Sequence, residues 1–184
     1  MFIFWLQGGE VVQETITSNL EDESIILEFQ RTDGTLITQL LDFRNDVQIL
    51  KALVLGEEER GQSQYQVMCF VTKFIKSEFI STDAMAKLRQ KNPSTIRQPE
   101  EDRGRDNYTM TGWVKLPRSM PVSRHILSLC SEAADSTYIR DVDIKTWATR
   151  PGTIALSLLI YTYYTFDTML LKLITINQCR HLIL

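Results

Sequence analysis

A chain of 184 residues, 43% apolar and 23% charged, is long enough to bury a sizeable core as one domain. A net charge of −3 without a clustered basic stripe excludes the usual electrostatic footprint of a nucleic-acid binder. Three cysteines and two histidines at unrelated spacings form no zinc motif, and the odd cysteine count suggests one bridge plus a leftover thiol.

Met1-Phe2-Ile3-Phe4-Trp5-Leu6 is apolar but lacks a basic leader and a small-residue cleavage site. It reads as a strand turning at Gln7-Gly8-Gly9, and no complete signal peptide is evident. Residues 11–17 predict the next strand. Ile25, Leu27 and Phe29 then alternate with Glu28 and Gln30, the period of a half-buried strand. Asp33-Gly34 is a two-residue hairpin signal. Residues 36–43 are apolar on both faces, as in a central strand, and Arg44-Asn45 predicts a second tight turn. Residues 47–55 resume the strand pattern, interrupted by Lys51, and residues 56–61 form a charged loop. Residues 65–75 are a long β-rich run containing Cys69. Counted from 11–17, these segments predict an antiparallel meander of about five strands.

The period then changes. Ser81 is placed to cap a helix, with Ile80 and Met85 at the two positions of a hydrophobic staple. Ala84, Met85 and Leu88 supply its apolar face, and Asn92-Pro93 stops it. Lys87, Arg89 and Lys91 lie on this helix; the ordinary reading is a solvated face, the functional one a partner-binding patch. Residues 93–121, rich in proline and crossed by a charged run, predict a flexible, exposed loop. Val122, Ile126, Leu127, Cys130, Ala133, Ala134 and Tyr138 recur at helical spacing and predict a second helix with Cys130 on its buried face.

After Pro151-Gly152 the charge almost disappears. The uncharged run 153–166 is shorter than the roughly 18–20 residues a membrane helix needs. Lengthening it to Ile176 would bury Asp167 and Lys172, so a membrane span is not expected. The fold class is therefore α+β, an antiparallel sheet packed with two α-helices over residues 1–152, plus an atypical apolar tail at 153–184.

No nucleophile–base arrangement, phosphate loop or metal-ligand set is recognisable, so no catalytic residue, metal or cofactor is expected. Cys69 and Cys130 read equally as buried free thiols or as a bridge. Asp42 reads as a cap for the Arg44-Asn45 turn. Asn107-Tyr108-Thr109 is an N-glycosylation sequon in the loop, whereas Asn92-Pro93-Ser94 is excluded by its proline.

The stretches Leu53-Val54-Leu55-Gly56, Gly61-Gln62-Ser63-Gln64 and Cys69-Phe70-Val71-Thr72, and above all Ala84-Met85-Ala86-Lys87-Leu88-Arg89-Gln90-Lys91-Asn92-Pro93, closely resemble the Out at first proteins. The resemblance covers roughly residues 8–152 and leaves 153–184, which does not resemble that family's cysteine-rich C-terminal region. The family is similar in turn to BRICHOS domains, with Asp42, Cys69 and Cys130 at the three hallmark positions. The resemblance implies a secreted protein with a Cys69–Cys130 disulfide, Cys179 being left over. It implies a non-enzymatic developmental role, notably in the nervous system, and use of the sequon at Asn107. For Asp42 it implies a partly buried carboxylate whose ionisation controls sheet opening, so that Asp42→Asn would stabilise the fold. Two functions are then expected to compete: an extracellular binding or chaperone-like module that holds a protein or extended peptide, and a receptor ligand or modulator using the sheet as scaffold. A form tethered to the membrane through the tail is a weaker third.

Overall fold

The computed structural model describes residues 2–7, 10–30, 34–56, 61, 64–91 and 108–149, excepting the side chains of 2–14 and of Arg89. The described residues form one mixed sheet of eight strands with three α-helices. Strands β1 (Phe2–Gln7), β2 (Glu10–Asn19), β3 (Ser24–Gln30), β4 (Leu36–Asp42), β5 (Val47–Val54) and β6 (Gln66–Lys73) follow one another as an antiparallel meander. Helix α1 is Thr82–Lys91. Strand β7 (Gly112–Trp113), helix α2 (Arg124–Leu129), strand β8 (Thr137–Ile139) and helix α3 (Asp141–Ala148) complete the chain order. The sheet order is β1-β2-β3-β4-β5-β6-β8-β7.

The expectation of about five antiparallel strands and two helices is corrected here. β8 lies parallel to β6, with Cys69 opposite Thr137 and Val71 opposite Ile139, and β7 closes the edge antiparallel to β8. The helix expected from Val122 to Tyr138 ends at Leu129, after which a short 3-10 turn at Ser131–Ala133 leads into β8. Tyr138 fits helical spacing but is a strand residue stacked on Phe70, with ring centroids 5.7 Å apart. The loop expected over 93–121 is corrected in its second part. Val114 and Leu116 are buried in the core, and Ser119 is fully buried with its hydroxyl on the Leu116 carbonyl. Residues 92–107 and 150–184, including the tail, lie outside the described residues.

Alternation assigns the two sheet faces. Leu40, Val47, Ile49, Val67, Cys69 and Val71 point to one face and pack under Val122, Ile126, Cys130, Ile144 and Trp147 of the α2–α3 region. Ile25, Leu27, Leu41, Phe43 and Phe74 point to the other and pack with Met85 of α1. The α1 cap is as expected: the Ala84 N–H donates to the Ser81 hydroxyl at 3.3 Å, and Ile80 and Met85 share one cluster. Gly34 has φ +83°, the left-handed region in which an L side chain is strained, so that turn position favours glycine. Lys51, which breaks the β5 pattern, pairs with Glu132 in the 3-10 turn that follows α2. Behind β8, Arg140 grips the buried Asp143 with two hydrogen bonds of 2.6 and 2.9 Å and lies 4.8 Å above the Tyr108 ring. That clasp ties the segment entering β7 to α3.

Candidate functional site

Asp42 is the last residue of β4 and falls on the same face as Leu40, so its carboxyl points towards α2. It is 1% exposed. The Asn45 backbone N–H donates to its Oδ1 at 3.0 Å, and the Asn45 side-chain amide donates to Oδ2 at 2.8 Å. The Ser123 hydroxyl donates to Oδ2 at 2.6 Å from 81 residues away. Three donors thus converge on one carboxylate. Of the roles considered for Asp42, these bonds describe the turn cap and extend it to a tether on a helix.

Ser123 is the N-cap of α2 and accepts the His125 backbone N–H at 3.2 Å. Asp42, Ser123 and His125 are the residue types of a hydrolytic triad, but the arrangement differs. The histidine reaches the hydroxyl through its main chain, and the hydroxyl proton already serves the carboxylate, so no base activates the serine. The cluster is a clamp.

At the other end of α2, Cys130 is the C-cap and is bonded to Cys69 of β6, with Cα atoms 5.9 Å apart. That separation lies inside the usual disulfide range, and both residues are fully buried. A six-residue helix is therefore pinned at both ends. Between the pins, Ile126, itself fully buried, covers the Leu40, Val47 and Ile49 face.

Charges surround the N-terminal pin. Arg124 pairs with Asp22 in the β2–β3 turn. Arg44 donates to the Glu21 carbonyl at 3.0 Å and contacts Glu23 at 3.5 Å. His125 is half-buried beside them. Burial holds its imidazole below the ordinary 6.5; Asp42 pulls the other way, and Arg124 and Arg44 add to the lowering. Neither Ser123 nor His125 was singled out from the sequence. The available signal was the serine directly before a helical stretch, a capping pattern.

On the opposite face, Phe70, Tyr138 and Trp113 form a row of rings. Phe70 and Tyr138 stack, and Tyr138 lies 6.3 Å from Trp113. The row crosses β6, β8 and β7 and ends at the sheet edge, where Trp113 is 42% exposed. Ile37, Leu50, Phe29 and Met68 extend the same apolar cluster inwards.

The remaining sequence candidates lie elsewhere. Lys87 and Lys91 are exposed on α1, and Lys87 is paired with Asp83 one turn earlier. Arg89 belongs to α1, its side chain outside the description. None of them shares the α2 corner. Asn107 is outside the described residues, while Thr109, the third residue of its sequon, is exposed. Among the described residues, no group of three or more His, Cys, Asp or Glu side chains is placed to hold a metal ion. Among them too, no helix is long and apolar enough to cross a membrane.

The family model described as Out at first matches residues 4–147. The chain belongs to the Out at first family. It is 74% identical over 146 residues to the Out at first protein of Drosophila virilis, a match covering 79% of this chain and 48% of that protein. It is 67% identical over 163 residues to the Out at first protein of Drosophila melanogaster, covering 89% of this chain and 34% of that protein. The chain thus spans half or less of the curated relatives it matches. No solved structure matches it. The matched region takes in both cysteines, the Asp42 corner and the aromatic row.

Proposed function

We propose that this chain is a secreted, non-enzymatic developmental protein that acts as an extracellular binding module for an extended apolar peptide or protein segment. The observation that carries the reading is the Cys69–Cys130 bridge, fully buried between β6 and α2. Such cross-links persist in oxidising compartments and are rare where thiols are kept reduced. A BRICHOS-like character is supported by an acid-ended strand, a cysteine in a later strand and a cysteine at a helix end. The developmental and nervous-system role rests on family membership, and glycosylation of Asn107 follows if the chain is exported.

For the binding mode, the aromatic row ending at Trp113 supplies an apolar track leading to an edge strand, the arrangement that strand addition uses. The alternative patch on α1 has less to offer a partner, since the charge of Lys87 is already met by Asp83. A short Val- and Ile-rich peptide titrated against the purified chain should bind in the micromolar range. Trp113→Ala should weaken that binding about tenfold, the effect of losing one aromatic anchor. Undetectable binding, or an unaltered affinity in the variant, would overturn docking at this edge and favour the receptor-ligand reading.

A further inference from the structure

We propose that Gln39 and Gln48 form a subsite at the inner end of the aromatic row, where their two side-chain amides hydrogen-bond the main chain of an extended peptide laid across the strands. The proposal rests on the binding-module reading and adds to it the groups that hold the ligand's backbone. The register makes the row continuous. Trp113 stands opposite Tyr138, Tyr138 opposite Phe70, Phe70 opposite Leu50, and Leu50 opposite Gln39. Directly opposite residues share a sheet face, so these side chains line one path from the β7 edge to β4. Gln48 is on the same face, two residues from Leu50 along β5 and diagonal to Gln39.

The two glutamines are 4% and 5% exposed, yet among the described residues neither side-chain amide has a hydrogen-bond partner. Buried polar groups are ordinarily paired, and here Ser119, Ser123, Thr137 and Asp143 all are. Among the described residues, the fully enclosed polar atom without a partner is the Trp147 indole N–H, in the cluster on the other face. The glutamine amides therefore still meet solvent: their stems are packed and their tips face an opening.

The ligand class follows from the chemistry of those tips. A primary amide offers an N–H donor and a carbonyl acceptor side by side, the complement of the C=O and N–H of a peptide main chain. A carboxylate or an ammonium group would use only half of it. No residue of the row is charged, so nothing along it favours an ionic ligand. From β7 to β4 the path crosses four strand intervals, about 19 Å at the usual strand spacing. An extended chain of about six residues covers that length. Trp113 holds one end of it and the paired amides the other.

Titration of a capped Val/Ile peptide of about six residues tests this, with the full, oxidised chain and its Gln39→Met, Gln48→Met double variant. Methionine keeps the side-chain length and removes the amide. The expected result is affinity about tenfold weaker, with a melting temperature unchanged or higher because no hydrogen bond within the fold is lost. Unchanged affinity in the double variant overturns the subsite and leaves the binding-module reading standing. Affinity lost in the double variant but not in Trp113→Ala supports the subsite and overturns docking at the edge. A wild-type chain that binds no peptide overturns both. Should the variant melt lower, the Gln39 and Gln48 side-chain NH2 resonances of the wild-type chain decide. Shifts that saturate with peptide binding support the subsite, and resonances that stay still in the bound state refute it.

Discussion

Replacing both bridging cysteines, Cys69→Ala with Cys130→Ala, is expected to lower unfolding free energy by about 4 kcal/mol. The two residues are 61 apart, and the chain-entropy model gives roughly that value for a loop of this length. Domains of this kind hold about 5–15 kcal/mol in total, so the loss removes a large share. At about 2–4 °C per kcal/mol, the melting temperature should fall by about 8–16 °C. The bridge joins the residue opposite Thr137 of β8 to the C-cap of α2, so the loss acts on both the parallel strand pair and the helix. A change below about 1 kcal/mol would mean that packing and the Ser123–Asp42 hydrogen bond hold the helix without help from the bridge.

Asp42→Asn is expected to destabilise the fold by about 1–3 kcal/mol at neutral pH, the cost of leaving a buried polar group unsatisfied. Asparagine has the right size but supplies one acceptor oxygen where two are used. Asn45 donates to both oxygens and Ser123 to one of them, so an amide NH2 at Oδ2 would face two donors. The BRICHOS-like reading under Proposed function would give the opposite sign, with the neutral mimic more stable. The two outcomes separate cleanly in a denaturant titration at neutral pH. A double-mutant cycle with Ser123→Ala measures the tether itself, because residues that share a hydrogen bond are non-additive. Greater stability of Asp42→Asn would make Asp42 an acid-sensitive brake and remove it as the anchor of α2.

The meander was legible because its strands carry a strong period. Ile25, Leu27 and Phe29 on one face and Leu40, Val47, Ile49 and Val71 on the other land where alternation places them. The α1 cap was legible because Ser81, Ile80 and Met85 form a local motif. The second half of the fold was not. Strand β8 has three residues and β7 two, too few to show any period. Tyr138 fell on helical spacing by coincidence, which lengthened α2 and hid the parallel pairing with β6. Val114 and Leu116 sit in a proline-bearing stretch whose composition reads as loop, yet long-range packing buries them. The corner partners were invisible for a related reason: the bond from Ser123 to Asp42 spans 81 residues and has no local signature. The pairing of Cys69 with Cys130 came from family resemblance, since the residues alone left free thiols open.

An oxidised Cys69–Cys130 pair staples α2 to the sheet. Thiol labelling of the chain isolated under native, non-reducing conditions from secreting cells, followed by tryptic mapping, tests it most directly. Trypsin should release residues 61–73 and 125–140, which carry Cys69 and Cys130, as one cross-linked species that separates on reduction. Cys179 alone should take up the label before reduction. Labelling of Cys69 and Cys130 in the folded, unreduced chain, or linkage of either to Cys179, would show that α2 is not stapled to β6.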